Sequence, residues 1–197
     1  MKQLYIICLF LLSINTLSAQ TPFVCDGAFY LSLGTGGTNT TFYEVTVDNV
    51  TGNVLFNSLA AANSGASING IGYRITDNFI YGVTSNSGGL YRIDATGQSF
   101  FIQNLNTPTG YSMIAGDVTP DGNTLILLGS TGNPTVDQAI FEVDLTSPTY
   151  NVTTINLTSQ STGGLLTSRT ADIAIDPITG TIYGFTDGQL VTYDRNT

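Results

Sequence analysis

Short runs of β-branched and aromatic residues recur along the chain, each four to seven residues long and bounded by Gly, Asn, Asp, Thr or Pro. FYEVTV at 42–47, FIYGVT at 79–84, TLILLG at 124–129 and TIYGFT at 181–186 are examples. Runs of this length between turn signals predict strands, and no stretch holds a helical period long enough to compete. One short segment, LAAAN at 59–63, has helix propensity for a single turn at most. The runs are also not independent of one another. LYRID, IFEVD and LVTYD end at Asp94, Asp144 and Asp194, fifty residues apart in each case, and FYEVTVD ends at Asp48 as a longer version of the same strand. A turn followed by a strand recurs as CDGAFYLSL, TDNFIYGVT, PDGNTLILLG and ITGTIYGFT. The strand before that turn recurs in INGIGY, AGDVTP and ADIAIDP, and a strand after the aspartate recurs in NVLFNSL, SFFIQNL and VTTINL.

Four short strands repeated about every fifty residues are the pattern of a propeller blade, a unit that buries its faces only by stacking on its neighbours. The predicted fold is therefore all-β, a β-propeller of four-stranded antiparallel blades, present as an incomplete arc of about three to four blades. Within it, Tyr81 and Tyr183 are expected between sheets, with Gly82 and Gly184 allowing close backbone approach beside them. Asp48, Asp94 and Asp144 precede turn sequences and are expected to cap them by accepting backbone N–H groups. The first blade begins at the turn CDG without an innermost strand, and the last ends after LVTYD without an outermost one. The expectation from this is a propeller domain over 20–197 truncated at its C-terminus, with the remaining blades supplied by a missing C-terminal part. Produced alone, such an arc is expected to self-associate.

The segments ADIAIDPITGTIYGFTDGQLVTYD and INGIGYRITDNFIYGVTSNSGGLYRID resemble the blades of NHL and YVTN propellers. They are still more similar to an uncharacterised propeller-like domain found near the N-terminus of large surface and secreted proteins of Gram-negative bacteria. The resemblance runs from about Phe23 to Asp194 and rests on structural motifs. It implies a fold and an exported bacterial setting, and it carries over no functional residue.

The N-terminus changes the picture of where the protein acts. MKQLYIICLFLLSINTLSA at 1–19 places one lysine before a short apolar run and ends in small residues, which is the pattern of a secretory signal peptide. The run is too short for a membrane span, so the protein is expected to be secreted or at the cell surface, without membrane insertion. Cleavage removes the only lysine and takes the formal charge from −9 to −10, against Arg74, Arg92, Arg169 and Arg195. A chain so acidic and so poor in cations is not expected to bind nucleic acid. It would retain one cysteine, Cys25, expected to be a buried small hydrophobe of the first blade.

The sequence contains no histidine, which removes Ser-His-Asp and Cys-His nucleophilic arrangements and histidine zinc sites. No stretch has the alternating acids of a calcium loop, so neither metal nor cofactor is expected. A pair of carboxylates suffices for glycoside hydrolysis, which keeps a carboxylate-based hydrolase or lyase as the alternative. Asp117, Asp137, Asp172, Asp176, Asp187, Glu44 and Glu142 are the acids that repetition explains least. The main expectation is a non-catalytic binding module. Its partner, a protein or glycan at the cell surface, would meet the loops between one blade's last strand and the next blade's first, together with those between second and third strands. In those loops, which contain few charges, Tyr111, Asp137, Arg169 and Asp172 are the residues expected to bind.

Overall fold

A computed structural model of the chain describes residues 20–24, 28–33, 39–59, 66–131, 139–157, 170–186 and 188–195. Residues 1–19, Cys25, Asp137, Arg169, Asp187 and residues 60–63 of the LAAAN segment lie outside them. Every regular element among the described residues is a strand, and each strand pairs antiparallel with the next in sequence within its sheet. The first sheet runs β1 (Phe29–Leu33), β2 (Thr41–Val47) and β3 (Val54–Ser58). The second runs β4 (Ile68–Arg74), β5 (Phe79–Thr84), β6 (Gly89–Ile93) and β7 (Ser99–Asn104). The third runs β8 (Ser112–Val118), β9 (Thr124–Ser130), β10 (Ala139–Asp144) and β11 (Val152–Asn156). The fourth runs β12 (Ile173–Ile175), β13 (Ile182–Thr186) and β14 (Gln189–Tyr193). The first strands of adjacent sheets lie side by side, β4 against β8 and β8 against β12. This is an open arc of propeller blades, two of four strands and two of three.

The period-two alternation of each strand sends one set of side chains to the preceding blade and the other to the following one. Three apolar clusters result, one per seam. Ile80 and Ile93 of the second blade pack with Phe42 of the first. Tyr81, Val83 and Leu90 on its other face pack with Leu125, Leu127 and Phe141 of the third. Ile126, Leu128 and Ile140 pack in turn with Ile173 and Ile182 of the fourth. Burying such a side chain contributes roughly 1.5–3 kcal/mol, so the seams, and not the individual sheets, hold the arc together.

The repeated aspartates act as the sequence predicts. Asp48 Oδ1 accepts the N–H groups of Val50 and Thr51 at 2.8 and 3.1 Å. Asp94 Oδ1 accepts those of Thr96 and Gln98 at 3.0 and 3.2 Å, and Asp144 Oδ1 accepts that of Thr146 at 2.8 Å. Asp176 does the same for Ile178 and Thr179, both at 2.8 Å. Tyr81 is buried between the second and third blades, and its hydroxyl donates to Asp77 Oδ2 at 2.7 Å.

The glycine beside Tyr81 has a different role from the expected one. A Cβ on Gly82 would strike the side chains of Ile68 and Ile71 at 2.6 and 2.9 Å, so this glycine makes room for isoleucines of its own blade. Close backbone approach occurs one strand earlier. A Cβ on Gly72 would lie 2.5 Å from Val118 N, and one on Gly116 would lie 2.7 Å from the carbonyl carbon of Gly70. β4 and β8 therefore meet backbone to backbone near the axis of the arc.

Candidate functional site

The arc has two ends. At one lie the tight turns between first and second strands, held by Asp77, Asp121 and Asp176. At the other lie the starts of the first strands and the loops between second and third strands. Neighbouring blades are tied there by backbone bonds: Thr40 N donates to Ala66 O at 3.0 Å, and Met113 N donates to Ser85 O at 2.8 Å. Thr40, itself buried, exchanges two bonds with Ile68, donating to its carbonyl at 3.0 Å and accepting its N–H at 2.8 Å. These ties fix three blades around one cavity of about 400 Å3, lined by Ser32, Leu33, Thr40, Ser67, Ile68, Asn69, Ser85, Asn86, Ser112, Met113 and Ile114.

Among the described residues the lining contains no ionisable side chain. Its polar groups are hydroxyls and two carboxamides, over a floor that includes buried Ile68 and Met113. Ser112 Oγ donates to Asn86 Oδ1 at 3.0 Å, bridging the second and third blades across the rim. Such a surface offers many neutral donors and acceptors, which suit a ligand that is itself rich in hydroxyl or amide groups.

A larger space of about 620 Å3 opens at the turn end between the third and fourth blades, lined by Glu142, Thr179, Gly180, Thr181, Thr192, Tyr193, Asp194 and Arg195. Its Glu142 carboxylate is already engaged, accepting a bond from Arg195 Nε at 2.5 Å. That ion pair joins the third blade to the second residue after β14.

The residues singled out from sequence are distributed differently. Tyr111 is half-buried and packs edge-to-face on Phe141, with ring centroids 5.0 Å apart. Gly129 creates the slot for both rings, because a Cβ there would lie 2.4 Å from Phe141 and 3.2 Å from Tyr111. Tyr111 thus belongs to the seam between the second and third blades, one residue from the cavity wall at Ser112. Asp172 is exposed just before β12, and its Oδ1 accepts the N–H of Ile173 at 2.9 Å. Asp137 and Arg169 lie outside the described residues. Sequence reasoning missed the serines and asparagines of the cavity. The usable signal is positional: Ser67, Ser85 and Ser112 each stand where a strand meets a loop at the same end of the arc.

Asp172 does have an acidic neighbour. Asp117, in β8, spans the third and fourth blades: its Oδ1 accepts Val118 N at 2.8 Å and its Oδ2 accepts Ile175 N at 2.9 Å. Burial raises the Asp117 pKa, the two backbone N–H groups oppose that rise, and the charge of Asp172 adds to it. The Asp172 pKa is also raised by desolvation, less its bond from Ile173. Among the described residues no group of three or more Cys, Asp and Glu side chains is placed to hold a metal ion.

The fold has counterparts among solved structures. A luciferin-regenerating enzyme superposes with a TM-score of 0.51 at 13% identity, over 86% of this chain and 53% of that one. The periplasmic gluconolactonase of Pseudomonas aeruginosa gives 0.46 at 16% identity, over 84% and 50%. Virginiamycin B lyase from Staphylococcus aureus gives 0.45 at 12% identity, over 84% and 56%. The chain thus spans about half the length of these structures, and the likeness to the first, at 13% identity, is one of fold alone. No curated protein matches the sequence. The repeat itself is matched by a family model over residues 30–197, from the first β-strand to the last residue, and the chain belongs to this family, described as a repeat of unknown function, DUF6923.

Proposed function

We propose that this chain is a non-catalytic binding module of an exported protein, and that its ligand is a glycan or comparable neutral polyhydroxylated molecule taken at the loop end of the arc. The observation that carries the reading is the cavity of about 400 Å3 where three blades converge, walled by serine hydroxyls and the carboxamides of Asn69 and Asn86. Sugars present hydroxyls that donate and accept, and a wall of hydroxyls and amides matches both without the desolvation cost of a buried charge. The leader expected at 1–19 supports an extracellular or surface setting, where such ligands are met.

A glycan array followed by calorimetry on its strongest hit tests the reading. Asn86→Ala and Ser112→Ala, which remove the two sides of the rim bridge, should each weaken binding several-fold while leaving the melting temperature within a few degrees. An array that stays blank while a protein partner is captured at the same face would replace the glycan by a protein. Binding unaffected by either substitution would remove the cavity from the account.

A second reading rests on Asp117 and Asp172. Asp117 is a buried acid whose pKa rises, in part through the charge of Asp172, and a carboxyl held protonated beside an ionised one is the pairing that carboxylate-based glycoside chemistry draws on. Both oxygens of Asp117 accept backbone N–H groups, which favours a structural clamp. A reducing-end assay on a panel of polysaccharides separates the two readings: release of reducing sugar that Asp172→Asn abolishes would establish the enzyme.

A further inference from the structure

The two terminal blades carry faces that, by register, are blade-to-blade surfaces. In the fourth blade Phe185 pairs directly with Leu190. The same register positions are Val83 paired with Leu90 in the second blade and Leu128 paired with Ile140 in the third. Those four residues point toward the following blade and are all 0% exposed. Phe185 and Leu190 are 61% and 69% exposed.

The first blade shows the complementary case. Phe29 pairs with Val45, at the register position of Leu127 paired with Phe141 in the third blade. The latter two point toward the preceding blade and are 0% exposed, whereas Phe29 is 73% exposed. Val45 pairs in turn with Phe56, which is also exposed, so one apolar row crosses the whole sheet. Val47 extends the patch and is exposed too, although Ile93 and Val143, which precede Asp94 and Asp144 as Val47 precedes Asp48, are fully buried.

We propose that a second copy of this chain covers these faces, the fourth blade of one copy packing on the first blade of the other. Continuity with the internal seams carries the assignment. Each internal seam joins a following-side face, of the Val83 and Leu90 type, to a preceding-side face, of the Leu127 and Phe141 type. The two free faces are one of each type, so the contact is head to tail and uses different surfaces on the two copies. Two copies make two such seams and close into a ring of eight blades, within the four to eight that propellers use.

Light scattering coupled to size exclusion tests this on the 197-residue chain, with or without its leader, from low to high micromolar concentration. The expected mass is twice that of the chain. Phe29→Asp and Phe185→Asp each disable one face and should each give a monomer with an unchanged fold by circular dichroism. Mixing the two variants should restore a species of twice the mass, because each supplies the face the other lacks. Val47→Asp and Leu190→Asp form a second pair should the first fail to fold. A wild-type monomer at high concentration would overturn the proposal and leave blades elsewhere in a longer polypeptide as the occupant. Variants that still associate, a mixture that stays monomeric, or open-ended polymers would each overturn it as well.

Discussion

Replacing Gly116 by alanine isolates the feature on which the arc depends, the contact of β4 with β8. Gly116 does not have a positive φ, so alanine fits its own backbone, and the cost arises across the seam. The new Cβ would lie 2.7, 2.8 and 2.9 Å from the carbonyl carbon, oxygen and Cα of Gly70. Ordinary contact begins at 3.4 Å, so the two strands must part by about 0.7 Å in a close-packed interior. Overpacking of this kind costs roughly 1–3 kcal/mol, and the lower entropy of the unfolded chain with alanine returns about 0.4–1 kcal/mol. The net expectation is a loss of about 1–2 kcal/mol, or about 2–8 °C in melting temperature for a chain of this size. Gly72→Ala opens the same seam against Val118 N. Once the strands have separated, the second Cβ meets less resistance, so the double variant should lose less than the sum of the singles. Urea melts of the four proteins measure this directly. Full additivity, or a Gly116→Ala protein as stable as wild type, would refute close backbone packing at the axis.

Three other outcomes follow from the same geometry. Leu127→Ala, at a fully buried position in the seam between the second and third blades, should cost about 2–5 kcal/mol by urea denaturation. Tyr81→Phe removes the bond to Asp77 and should cost about 1 kcal/mol; in the wild type, burial first and then the Asp77 bond push the Tyr81 pKa up to about 12, so one tyrosine should resist ionisation in an alkaline absorbance titration. Asp172→Asn keeps an oxygen for the Ile173 N–H and removes a charge that opposes ionisation of Asp117. Because the folded pKa of Asp117 lies above 3.8, its contribution is greatest below that value and is lost as pH rises through the folded pKa. The variant should therefore melt higher than wild type near neutral pH, with the gap closing on acidification; a gap that persists in acid would rule out this electrostatic origin.

The fold was legible because the repeat is written in residues with local jobs. An aspartate that caps a turn must sit at the turn, and alternating apolar residues must sit on the strands between, so the spacing of Asp94, Asp144 and Asp194 carries the blade by itself. Gly72 and Gly116 were harder to read. Their partners lie in another blade more than forty positions away, and nothing local distinguishes them from Gly82, which serves its own sheet. The same holds for Tyr111: an aromatic in a loop reads as an anchor until Gly129 and Phe141 are brought beside it. The cavity was hidden for the opposite reason. Serine and asparagine are also what ordinary loops are made of, and Ser67, Asn86 and Ser112 acquire a joint meaning only when three blades converge on them.

The claim that the loop end of the arc is where this protein binds is tested most directly by an amide NMR titration with the strongest glycan from an array. The account predicts saturable shifts grouped at Ser67–Asn69, Ser85–Asn86 and Ser112–Ile114, with the turns at Asp77, Asp121 and Asp176 unmoved. Shifts centred on those turns, or on Glu142 and Arg195 at the opposite end, would contradict it.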